Sequence, residues 1–170
     1  MPTKEERLFL ENIQPHKGII YKVSRMYADT AEDREDLVQE ILIRLWSSYG
    51  SFEGRSALST WMYRVAVNTA ITFLRKEKGK PRIIGDDSPA LLTKAFETDS
   101  REETRLALFY RAVKELNPVE KALIFYFMEG ISHREISAQL GISENNARVK
   151  LNRTKEKLQR IIKTYGYEFE

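Results

Sequence analysis

A chain of 170 residues without a single cysteine excludes disulfide staples and thiolate metal sites, and it fits one domain or two small ones in a reducing compartment. Hydrophobic residues make up 42%, enough for globular cores, yet the N-terminus MPTKEERLFL has no apolar signal core and no apolar run approaches membrane-spanning length. A cytoplasmic protein without membrane insertion is therefore expected. The formal net charge is only +3, so the arrangement of charge says more than its total.

That arrangement is blockwise. From Ala28 to Glu40 six acids face one base, and from Arg64 to Arg82 six bases face one acid. Six acids face two bases from Gly85 to Glu103, and eight bases face three acids from Gly130 to Lys163. Two basic blocks separated by acidic ones point to two nucleic-acid surfaces on two modules.

In chain order, Glu6 to Tyr27 reads as helix on Leu8, Ile13, Ile20, Val23 and Tyr27, with Pro15 and Gly18 interrupting it. Thr30 then caps a helix over Ala31 to Ser48. Leu37, Val38, Ile41, Leu42 and Leu45 are spaced for one buried stripe, and the opposite stripe holds Asp33, Asp36, Gln39, Glu40 and Ile43. The loop SYGSFEGRS follows, with Phe52 expected to be exposed.

Ser59 and Thr60 open a third helix that ends at Gly79 and Pro81. Met62, Val65, Ala66, Thr69 and Phe73 are its candidate core residues. Trp61, Arg64, Asn68, Thr72 and Arg75 fall on an adjacent stripe: an aromatic to stack on, cations for phosphates, an amide that can pair with adenine. The same stripe is also what a solvated helix face with one half-buried tryptophan looks like.

Residues 81–100 hold two prolines, a glycine and paired aspartates without sustained periodicity, and read as a flexible linker with Leu91, Leu92 and Phe96 as possible docking points. Helix returns from Arg101 to Leu116 on Leu106, Phe109, Val113 and Leu116. Asn117 and Pro118 then start a helix over Val119 to Glu129 that is apolar nearly all round, the expected centre of a second core.

The last stretch is GISHREISAQLGISENNARVKLNRTKEKL. Ser132 with Glu135 has the spacing of a capping box, and Gly141 supplies a left-handed end to the helix carrying Ile136 and Leu140. Ser143 caps a second helix whose inner side holds Ala147, Leu151 and Leu158, and whose outer side holds Arg148, Lys150, Asn152, Arg153 and Lys155. Two capped helices joined by a short glycine turn read as a helix-turn-helix, with the second helix placed to enter a major groove. An ordinary helical hairpin with a solvated basic face shares the pattern. No strand pattern of useful length occurs. The expected fold is all-α: two small helical domains, 1–80 and 101–170, joined by the linker 81–100.

With these motifs in order, the chain resembles the extracytoplasmic-function (ECF) sigma factors of the sigma-70 family. DLVQE at Asp36 to Glu40 looks like that family's polymerase-binding helix. FEGRSALSTWMYRVAVNTAITFLRKEK looks like its segment that melts and reads the minus-ten element, with Thr60-Trp61, Tyr63-Arg64 and Asn68 at the matching positions. LNPVEKALIFYFMEGISHREISAQLGIS looks like its minus-thirty-five-binding region. Leu58 stands where an aromatic is usual, Thr72 where an acid is common, and Asn145-Asn146 where a small residue and a threonine are frequent.

The resemblance implies a transcription initiation factor whose partners are core RNA polymerase (the clamp of the largest subunit and the flap of the second-largest), promoter DNA and an anti-sigma factor. It assigns Asp36, Gln39, Glu40 and Ile43 to the polymerase. Phe52, Arg55, Trp61, Arg64, Asn68 and Arg75 go to minus-ten opening, and Ser143, Asn145, Asn146, Arg148, Lys150 and Arg153 to the minus-thirty-five duplex. The alternatives are a stand-alone helix-turn-helix regulator, which leaves the Trp61 stripe unexplained, and a metal-dependent nuclease using Asp33, Asp36 and Glu40. The nuclease lacks a second carboxylate cluster, and His16 and His133 lie in other segments. No enzyme activity, metal or cofactor is expected.

Overall fold

A computed structural model describes residues 1–77 and 100–166, and the chain divides into two compact units, Met1–Pro81 and Arg82–Glu170. Every regular element among the described residues is helical. The first unit contains α1 (Lys4–Ile13), α2 (Lys17–Tyr27), α3 (Ala31–Tyr49) and α4 (Leu58–Glu77); the second contains α5 (Ser100–Val113), α6 (Pro118–Met128), α7 (His133–Leu140) and α8 (Glu144–Thr164). Residues 81–99 of the expected linker, with Leu91, Leu92 and Phe96, lie outside the described residues.

The single N-terminal helix expected over Glu6 to Tyr27 is two helices. Pro15 has no N–H to donate, and the chain passes through a 3-10 turn at Gln14–His16 before α2 begins. The first of these helices starts on a reciprocal cap that the sequence reading missed: the Thr3 hydroxyl accepts from Glu6 N, and the Glu6 carboxylate accepts from Thr3 N. Its buried residues are Phe9 and Ile13, whereas Leu8 is exposed.

The core of the first unit is a three-helix arrangement in which α2, α3 and α4 each pack against the other two. Thr30 starts α3 by accepting from Asp33 N at 3.1 Å. The Arg34 guanidinium donates back to Ala28 O and Asp29 O, which fixes the angle between α2 and α3. Leu37, Ile41 and Leu45 recur every four residues and are wholly buried, each contributing about 1.5–3 kcal/mol. Val38 and Leu42 are only half-buried, so the stripe is narrower than expected.

The core face of α4 is rotated from the expected one. Met62, Ala66, Val67 and Ala70 are buried, while Val65, Thr69 and Phe73 are half-buried. Alanine and valine at the buried positions let α2 and α3 approach closely, and the longer side chains are turned to the flank.

In the second unit, α8 is the spine against which α5, α6 and α7 pack. Asn117 caps α6 by accepting from Glu120 N at 2.9 Å, with Pro118 in the first turn where a missing N–H costs nothing. Ala122 to Tyr126 form the centre of this core, but Phe127 and Met128 emerge at 48% and 52% exposure, so the helix is not buried to its end. On α5, Ala112 and Val113 are buried while Leu106 is exposed.

Candidate nucleic-acid interface

The outward side of α3 carries Asp36, Gln39, Glu40 and Ile43, all exposed, the isoleucine at 61%. Among the described residues no ion pair involves Asp36 or Glu40. Two uncompensated carboxylates beside a solvent-facing isoleucine and the 41%-exposed Trp46 form a surface that is both acidic and apolar. Neither feature stabilises the free protein.

Below this face runs a chain of aromatic contacts. Phe9 meets Trp46 and Tyr49 edge-on with centroids 5.1 and 5.2 Å apart. Tyr49 lies 6.4 Å from Trp61, and Trp61 lies 5.2 Å from Phe52. The Asn12 amide donates to the Tyr49 hydroxyl, tying α1 to the same cluster. Trp61 is therefore half-buried and partnered rather than a bare stacking platform. It anchors the 50–57 loop, with Phe52 packed on it instead of projecting freely.

Arg64, Asn68, Thr72 and Arg75 are exposed along the adjacent strip of α4. Asn68 and Thr72 line a groove of about 310 Å³ between α3 and α4, whose other walls include Glu40, Arg44 and Lys76. Arg55, on the loop, is paired with Glu53 at 2.8 Å, and both are well exposed. Asn68 thus shares a groove with one candidate polymerase residue, Glu40, and Val65 and Phe73 give that groove an apolar wall.

In the second unit, Ser132 caps α7 by accepting from Glu135 N at 3.2 Å. The reciprocal bond of a full capping box is not made. Gly141 ends the helix at φ +68°, a left-handed conformation that a side chain would strain. Three residues later α8 begins, with Ser143 accepting from Asn146 N at 3.1 Å. Ala147, Leu151, Thr154, Leu158 and Ile162 face inward. The buried Thr154 hydroxyl is satisfied by Lys150 O at 2.8 Å.

The outward side of α8 departs from expectation in its cations. Lys155 does not project; its ammonium lies 3.5 Å over the Phe127 ring. Lys157 bonds both oxygens of the Glu120 carboxylate at 3.1 and 3.0 Å. Arg148 lies 3.9 Å from Glu144, one turn back, with both side chains exposed. Lys150 and Arg153 are exposed and in no ion pair among the described residues, so they remain for a ligand, as do the side chains of Asn145 and Asn146. Just past the end of α8, the Tyr165 hydroxyl donates to Glu115, just past the end of α5, and its ring lies 4.3 Å from the guanidinium carbon of Arg111 in α5. Burial, with Glu115 second, pushes the Tyr165 hydroxyl pKa above its ordinary value.

Comparison with known proteins decides what these surfaces belong to. Residues 13–80 match the Sigma-70 region 2 family, and residues 106–158 match Sigma-70, region 4. The chain is 32% identical over 155 residues to RNA polymerase sigma factor SigV of Bacillus subtilis, covering 91% of this chain and 90% of that protein. It is 30% identical over 138 residues to the ECF RNA polymerase sigma-E factor of Escherichia coli, covering 73% and 71%.

This chain belongs to the ECF sigma factors of the sigma-70 family. Its fold agrees with theirs: the Bartonella quintana sigma factor RpoE, solved with the anti-sigma factor NepR, superposes with a TM-score of 0.69 at 20% identity, over 91% of this chain and 96% of that one. Within the sigma factor, the region 2 match spans α2 to α4 with the acidic face and the Trp61 strip, and the region 4 match runs from within α5 through α6 and α7 to Leu158 of α8.

Proposed function

We propose that this sigma factor binds core RNA polymerase through the acidic face of α3, reads the minus-ten element with α4 and its preceding loop, and reads the minus-thirty-five duplex with α8. The observation that carries it is the succession of a region 2 match on the first unit and a region 4 match on the second. A plain helix-turn-helix regulator accounts for the second alone. Sigma factors are not enzymes, and no residue here is assigned a chemical step.

Magnitudes require the larger partner. Opening duplex DNA loses about 1.4 kcal/mol per stacked step, so a bubble of about ten pairs costs more than 10 kcal/mol. A base captured on an aromatic or amide returns only about 1–3 kcal/mol. The Phe52–Trp61 pair with Asn68 can capture an extruded base, but core polymerase must hold the rest of the bubble. The Asp36, Gln39, Glu40 and Ile43 face suits a basic, partly apolar helix on the polymerase clamp. The second unit would sit on the polymerase flap, and the end of α6 at Met128 leaves an apolar edge exposed for a protein contact. Arg64, Arg75 and Arg55 neutralise phosphates near the opened strand, and Arg148, Lys150 and Arg153 do so upstream.

Work with polymerase makes the cytoplasm the expected location; among the described residues no helix is long and apolar enough to cross a membrane. An anti-sigma factor is the expected negative partner, as for the Bartonella relative. Run-off transcription with purified core polymerase on genomic fragments tests the reading. Discrete protein-dependent transcripts are expected; a transcript pattern identical with and without the protein contradicts it.

A further inference from the structure

The middle of the outward strip on α8 is not a charged residue but Val149, 38% exposed. It lies about 200° round the helix from Ala147, which is wholly buried, so it faces directly away from the core. Asn145 precedes it by four residues and Asn152 follows it by three, so the three side chains share one ridge. All three are exposed, and neither asparagine amide has a hydrogen-bond partner among the described residues. Lys150 and Arg153 flank the ridge. The first carboxylate on it, Glu156, lies seven residues beyond Val149, about 10 Å along the axis.

A valine in this position has nothing to offer a polar surface. Pressed against a base-edge donor or acceptor it would only strip away water. The major-groove edge of the four bases carries one apolar group, the C5 methyl of thymine, and that methyl belongs to the A·T pair whose other half offers N7 and N6 to an asparagine amide. A Val149 isopropyl group between two free asparagine amides is the complement of neighbouring A·T pairs. The ridge from Asn145 to Asn152 runs about 10 Å, which is roughly three base-pair steps of 3.4 Å.

From this we infer that Val149 is a specificity-determining residue of the sigma factor: its side chain packs on a thymine methyl in the upstream duplex, with Asn145 and Asn152 reading adenine on either side. This rests on the proposed role of α8 at the minus-thirty-five element. The flanking Lys150 and Arg153 hold the backbone and leave the choice of base to the uncharged ridge.

The test begins with holoenzyme, reconstituted from the full chain and core polymerase, selecting from duplexes randomised upstream of a fixed minus-ten segment. The enriched duplex is remade with deoxyuridine replacing thymidine one position at a time, which removes the methyl and nothing else. At one position, wild-type holoenzyme should bind the deoxyuridine duplex about fourfold more weakly, the weight of one buried methyl group. Val149→Ala should bind the thymidine duplex more weakly and show no further loss with deoxyuridine, whereas Val149→Ile should restore the discrimination. Enrichment of an upstream sequence that is indifferent to deoxyuridine at every position overturns this inference alone. A Val149→Ala holoenzyme that keeps the discrimination, or that loses core polymerase rather than DNA, overturns it as well. A pool that stays random upstream overturns it together with the proposed role of α8.

Discussion

The outward faces of α3 and α8 share a plan and differ in sign. Each lies on a long helix started by a hydroxyl cap, Thr30 or Ser143, and each backs onto a fully buried inner stripe. Each also exposes one β-branched aliphatic residue, Ile43 or Val149, among polar neighbours. On α3 the charges are acids without ion-pair partners. On α8 the charges are bases, and the fold itself uses some of them, since Glu120 takes Lys157 and Phe127 takes Lys155. Net charge along a sequence therefore overstates the positive charge left free on α8 and matches the uncompensated acidity of the α3 face.

The largest expected effect comes from reversing the acidic face. Asp36→Lys with Glu40→Lys should fold normally by circular dichroism, because both side chains are exposed and unpaired. Like-charge juxtaposition at a docked surface costs several kcal/mol, so transcription should fall about a hundredfold or more from every promoter alike. Unequal losses between promoters would assign this face to DNA instead.

Within the first unit the same contrast separates Trp61 from Asn68. Trp61→Ala removes a ring packed against Tyr49 and Phe52 and should cost about 2 kcal/mol of stability in urea unfolding, less than a full core tryptophan. Asn68→Ala should leave stability within about 0.5 kcal/mol and instead reduce permanganate-reactive thymines in the open complex. Equal unfolding midpoints for the two variants would show that the aromatic chain carries little.

On α8 the free and the internally paired bases should part company. Lys150→Ala and Arg153→Ala should each make the salt dependence of DNA binding shallower by about one unit of slope, without destabilising the protein. Lys157→Ala should lower stability by about 0.5 kcal/mol and leave the salt slope unchanged, because its ammonium is held by Glu120. The smallest effect is at Tyr165. Its pKa is raised on folding, so the stabilisation is complete below the ordinary value of 10.0 and is lost as pH rises through the higher folded value. Alkaline unfolding should therefore begin earlier in wild type than in Tyr165→Phe.

Much of this was legible in the sequence because caps are local chemistry. Thr30, Asn117, Ser132 and Ser143 each cap as their residue type and spacing require, and Gly141 takes the left-handed conformation its place demands. The misreadings fall where one residue type fits two environments. Leu8 and Phe9 are adjacent apolar residues, and only the tertiary position of Trp46 selects Phe9. On α4 a run of apolar residues offers two faces, and the choice of Met62, Ala66, Val67 and Ala70 is made by how closely α2 and α3 approach.

At the site, Lys155 read as an outward cation because its partner, Phe127, comes from α6, more than twenty residues earlier. Val149 escaped notice because a valine in an amphipathic helix ordinarily belongs to the core. No short-range pattern signals an apolar residue placed outside on purpose; the signal is its phase, about 200° from Ala147.

The central claim is that the acids of α3 engage polymerase while the bases of α8 engage DNA. It is tested most directly by size-exclusion co-elution with core polymerase in the absence of DNA, using three proteins. Wild type and the Lys150→Ala/Arg153→Ala variant should co-elute with core enzyme alike, and Asp36→Lys/Glu40→Lys should elute alone. Co-elution of the charge-reversed α3 variant at wild-type levels would contradict the account.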